Sequence, residues 1–85
     1  MHKYYFHLHE RSGVVRDEEG QELANDTAAR KVAVTDARGI MAEDVQGGHL
    51  ELDGFIEVTD EAGEPLLRVS YMDAVTVRLP EALLY

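Results

Sequence analysis

The chain has 85 residues, 45% of them apolar, no cysteine and a formal net charge of −9. That length suits one domain near the lower limit for an unstapled core, and the missing cysteines exclude disulfides and thiolate zinc sites while fitting a reducing compartment. The acidity, concentrated as −6 in residues 47–85, disfavours nucleic acid and anionic membranes as partners, and no apolar run approaches the ~20 residues of a bilayer span.

Met1-His2-Lys3-Tyr4 leads directly into a strand pattern with no signal-peptide apolar region, so a cytoplasmic protein is expected. In the first strand, over residues 3–9, Tyr4, Phe6 and Leu8 point one way and Tyr5, His7 and His9 the other. Residues 10–13 read as a turn and Val14-Val15-Arg16 as a short return strand. Asp17-Glu18-Glu19-Gly20 follows as a second turn, with Leu23 a lone apolar residue placed to tuck under the next element.

Residues 26–46 are the one stretch with sustained helical periodicity. Asp26 is the expected N-cap. On a helical wheel Ala29, Ala33, Ala37, Ile40 and Met41 share one arc, with Val34 at its edge. Lys31, Thr35, Arg38 and Ala42 fall opposite, the pattern of a helix laid over a sheet. Alanines at four-residue spacing leave no bulk between that face and its partner. Gly39 lies on the solvent side, and Gly47-Gly48 is expected to stop the helix through a left-handed cap.

Residues 55–59 form the next strand, with Ile56 and Val58 on one face. A hairpin loop over 60–64 leads through Pro65 into a strand carrying Leu67, Val69 and Tyr71. Met72-Asp73-Ala74 reads as a turn or bulge. Beyond it, Val75, Val77 and Leu79 alternate with Thr76 and Arg78, which leaves room for a fifth strand at 75–79. The closing 81–85 segment reads as a helical turn or an interface arm. The expected architecture is α+β: ββαββ, an antiparallel sheet with one helix on one face, a core over 3–75 and an apolar extension over 76–85.

This combination resembles a family of small proteobacterial domains of unknown function. The matching residues are Tyr4-Tyr5-Phe6-His7-Leu8, Asp17-Glu18-Glu19-Gly20-Gln21-Glu22-Leu23, Ala28-Ala29-Arg30, Ile56-Glu57-Val58-Thr59-Asp60 with Gly63, and Leu67-Arg68-Val69 with Asp73-Ala74-Val75. The resemblance implies a bacterial, cytoplasmic protein with no assigned activity; Gly39 and the 76–85 extension depart from the pattern. A looser similarity of fold, over 17–37, is to antitoxins of the HicB kind.

Chemistry has few candidates. His7 and His9 put two imidazoles on one strand face and could chelate a metal with His2 or His49, but no third ligand is fixed by spacing. Asp17, Glu18, Glu19 and Glu22 lack the ligand alternation of a calcium loop and read as a solvated turn. Ser12 and Ser70 have no nucleophile-elbow context, and Gly47-Gly48 follows a helix whereas a phosphate loop precedes one. Arg30, Lys31 and Arg38 read as solvated helix charges. No cofactor and no catalytic residue is expected.

One helix covers only one face of such a sheet. The other is expected to present Tyr5, His7, His9, Phe55, one of Val14 or Val15, and Leu66, an apolar surface large for a monomer. The expected function is therefore a non-enzymatic interaction module, a homodimer in contact through Tyr5, His7, Phe55, Leu83, Leu84 and Tyr85. The alternatives are an antitoxin-like regulator that masks a basic partner protein and a histidine metal-binding protein.

Overall fold

A computed structural model describes residues 1–81. Side-chain alternation along the first segment yields β1 (His2–Glu10), which is both one arm of a hairpin and an inner strand of the sheet. The turn at Arg11-Ser12 returns the chain as β2 (Gly13–Val15), antiparallel to the end of β1 through Leu8↔Val15, His9↔Val14 and Glu10↔Gly13. A second short strand, β3 (Gln21–Leu23), then pairs with the start of β1, from His2↔Leu23 to Tyr4↔Gln21. Leu23 is thus part of a strand rather than an isolated anchor. Two of the three β3 residues are polar, so β3 is extended because β1 offers it backbone partners, not because of its own pattern.

The long helix α1 (Asp26–Gln46) follows. Its N-cap is Asn25, not Asp26: Asn25 is extended at φ −166° and its side-chain oxygen accepts from the Ala28 amide at 2.9 Å. Asp26 is released for another partner, the Tyr4 hydroxyl, which donates to it at 2.8 Å. Ala29, Ala33, Ala37 and Met41 are buried along one rib of the helix, with Val34 and Ile40 half-buried beside them. At the far end Gly48 takes the expected positive φ, and its amide and that of Gly47 return to the carbonyls of Val45 and Glu43.

The sheet is completed by β4 (Phe55–Thr59) and β5 (Pro65–Ser70). β4 pairs with β1 from Tyr5↔Thr59 to His9↔Phe55, and β5 pairs with β4, with a register shift at Val58/Thr59 that leaves Leu66 without a cross-strand partner. Both β3 and β4 run antiparallel to β1 and hence parallel to each other. A connection between parallel strands must cross over the sheet, and α1 is that crossover. The result is an open antiparallel sheet of five strands with one main helix against it. The core between them contains Tyr4, Ile56, Val58 and Val69, with Phe6, Leu8 and Leu67 packed against it.

The fifth strand is β3, and residues 75–79 form none. After β5 the chain turns into one short helical turn, α2 (Tyr71–Ala74), capped by Ser70, whose hydroxyl accepts from the Asp73 amide at 3.1 Å. Arg38, expected on the solvent side of α1, donates through Nε to the Ala74 carbonyl at 2.7 Å and so holds α2 against α1. The chain leaves the sheet at this point, and the alternating Val75, Val77 and Leu79 do not join it. Beneath α2, the Tyr71 ring is completely buried against Gly54, where a Cβ would lie 2.6 Å from the ring. Only glycine fits there. Burial, followed by the Glu10 carboxylate that accepts its hydroxyl proton at 3.1 Å, pushes the Tyr71 pKa up. No helix among the described residues is long and apolar enough to cross a membrane.

Candidate functional site

On the edge of β1 away from β4, the middle of the strand lies between β2 and β3 and pairs with neither, and the loop 16–20 closes the gap. Asp17 does this with its side chain. One carboxylate oxygen accepts from the Phe6 amide at 3.0 Å, in place of a neighbouring strand's carbonyl, and the other accepts from the amides of Glu19 and Gly20, each at 3.1 Å. Burial alone would raise the Asp17 pKa, but the amides of Phe6, Gly20 and Glu19 outweigh it and hold the carboxyl below its ordinary range. Gly20 sits at φ +72° with Tyr5 and Lys3 directly beside its Cα, so a side chain there would be both strained and crowded.

The same loop covers His7. The backbone amide of Asp17 donates to His7 Nδ1 at 3.1 Å, and His7 Nε2 lies 3.1 Å from Thr59 Oγ1. Because an amide N–H can only donate, Nδ1 carries the lone pair and Nε2 the proton, which it gives to Thr59. His7 is 3% exposed. The expectation of a surface histidine is thus corrected: His7 is a buried bridge from the loop through β1 to β4, with both ring nitrogens occupied.

Outward from this bridge, the sheet face away from α1 is tiled by stacked planar groups. The Tyr5 ring stacks with His7 (6.4 Å between centroids, 7° between planes), with the Lys3 ammonium 5.9 Å from the Tyr5 centroid. At the other end His9 stacks on Phe55 at 4.4 Å and 9°, and the Arg68 guanidinium lies 3.8 Å from the Phe55 centroid. Glu57, between them, faces His9 Nε2 at 3.3 Å and is the cross-strand neighbour of Arg68. The open face is therefore less apolar than the alternation predicts, because Phe55 is sandwiched between an imidazole and a guanidinium. Val14, beside His9, remains 51% exposed.

On the opposite face α1 leaves one strip of sheet uncovered. A groove of about 510 Å³ runs there, with Phe6, Leu8 and Ile56 in its floor, Ile40 in its helical wall and Val15 at its outer lip. Asp17, Asp36, Glu43 and Arg16 stand around it. The Asp36 pKa is raised, by burial first and by the charge of Asp17 second.

Of the residues expected to form a contact surface, Tyr5, His9 and Phe55 lie together on the open face, His7 lies beneath it, and Leu83, Leu84 and Tyr85 fall outside the described residues. Among the described residues no three histidine, aspartate or glutamate side chains converge to hold a metal ion. Sequence reasoning missed Asp17, although an aspartate three residues before a glycine is the signature of a side chain that caps its own turn. It also missed Arg68 over Phe55, a pairing across two strands that no local spacing announces.

Residues 3–73 match the family model described as a domain of unknown function (DUF6894), and the chain belongs to that family. No curated protein and no solved structure matches the chain significantly.

Proposed function

We propose that this protein is a non-enzymatic interaction module that self-associates as a homodimer through the open face of its sheet. The observation that supports this reading is the stack of Arg68, Phe55 and His9. Arginine and aromatic side chains dominate the binding energy of protein interfaces. Here they are already held in place by one another and by Glu57, so docking costs little further side-chain entropy. The exposed Val14 extends the patch along β2.

Light scattering tests this directly. At micromolar concentration the protein is expected to show about twice its 9.5 kDa chain mass, and Phe55→Ala or Arg68→Ala is expected to return it towards a monomer. A wild-type mass that stays at one chain over the whole concentration range would sink the reading.

A further inference from the structure

The groove between α1 and the β1–β2 side of the sheet lies on the opposite face from the stacked rings and makes no use of them. Its floor is core-like: Phe6, Leu8 and Ile56 all belong to the packed interior or border it. One position in its wall carries no side chain. Gly39 lines the helical wall, and a Cβ built on it meets nothing within 4 Å. α1 closes on the sheet along the rib of Ala29, Ala33 and Ala37, and Gly39 lies off that rib, on the row between Thr35 and Glu43 that borders the groove.

The charges around the gap are unbalanced. Asp17, Asp36 and Glu43 oppose Arg16 alone. Asp17 is committed to backbone amides. None of the ion pairs found among the described residues, His9–Glu57, Arg11–Asp53 and His49–Asp44, involves Asp36 or Glu43. Both carboxylates are left to whatever enters. The excess of carboxylates around this groove calls for a cationic occupant.

We infer that this groove is a docking site for an extended segment of a basic partner protein, one that inserts an apolar side chain over Phe6, Leu8 and Ile56 and sets a lysine or arginine against Asp36 and Glu43. The apolar side chain supplies buried area and the flanking cation supplies selectivity and salt dependence. The site is independent of the dimer surface proposed above, so either can fail alone.

The test uses the full chain and a fluorescent, short alternating lysine–leucine peptide, with its glutamate–leucine counterpart as control. Anisotropy is expected to show binding of the lysine peptide alone, weakening as salt rises. Amide resonances that move should cluster at Val15, Gly39, Ile40 and Glu43. Gly39→Leu fills the gap and favours the helix, so it should keep the circular-dichroism spectrum of the parent while weakening the peptide by about tenfold or more, the equivalent of ~1.4 kcal/mol. Asp36→Asn should weaken the peptide several-fold and flatten its salt dependence, and it gives a second readout if Gly39→Leu alters the fold. Equal binding of both peptides, indifference to both substitutions, or resonance shifts on the Phe55–His9 face would overturn the inference. So would groove resonances that move with protein concentration in the absence of peptide, since a second copy would then be the occupant.

Discussion

Phe55 and Ile56 are neighbours on one strand, and they meet entirely different surroundings. Ile56, 2% exposed, faces the buried alanine rib of α1. Phe55 faces the other way and lies between His9 and Arg68. The first face is closed by apolar contact with a separate element, which excludes water and draws on the hydrophobic effect. The second is closed by its own side chains, laid flat and held by ring stacking, cation–π contact and the Asp17–His7–Thr59 hydrogen bonds. A small domain with one long helix against its sheet can therefore shield both faces, but only the helix-covered face makes a core. The other becomes an ordered surface that stays available for contact.

If that contrast is right, substitutions should rank by face. Ile56→Ala is expected to cost about 3 kcal/mol in urea unfolding, through lost burial and a cavity beneath α1. Asp17→Ala comes next at about 2 kcal/mol, because the amides of Phe6, Glu19 and Gly20 lose their acceptor. Phe55→Ala should cost only about 1 kcal/mol, since a half-exposed ring gives up a stack rather than a core position. A Phe55→Ala loss equal to that of Ile56→Ala would erase the distinction between the faces.

The smallest effect has the opposite sign. Asp36→Asn should leave the protein slightly more stable than the parent at neutral pH. The raised Asp36 pKa means that the folded state holds this proton more readily, so its penalty is present at neutral pH and vanishes as pH falls through the raised value. Asp17 works in reverse. Its lowered pKa stabilises the fold above the ordinary carboxylate range, and that support is lost as pH falls through the lowered value. Paired urea titrations of Asp17→Ala and Asp36→Asn across acid pH check both signs: each difference from the parent should shrink in acid, one loss and one gain.

Where local periodicity governs, the sequence is a good guide. The helix limits over 26–46, its alanine rib, the alternation of β1 and the β4–β5 hairpin are all legible, because each rests on neighbours a few residues away. The failures share a cause. Gln21–Leu23 become a strand only because β1 has free backbone groups there, and His7 is buried only because loop 16–20 folds back over it. Arg38 lies on the polar side of the wheel yet reaches the Ala74 carbonyl, where the chain leaves the sheet and 75–79 do not extend it. In the groove, Gly39 reads from the wheel as a solvent-side residue. That it lines a groove beside unpaired carboxylates requires the packed structure.

The crossover by α1 also sets the order in which the domain can assemble. β1 meets β2 across a tight turn, whereas its bridge to β4 at His7 and Thr59 joins residues 52 apart. Closing so long a loop costs chain entropy that is recovered only once α1 lies on the sheet, so the β1–β2 hairpin should form early and the β1–β4 ladder late. In kinetic terms, Ile56→Ala should speed unfolding far more than it slows folding, and stopped-flow measurement of both rates in urea would expose a transition state that already contained β4.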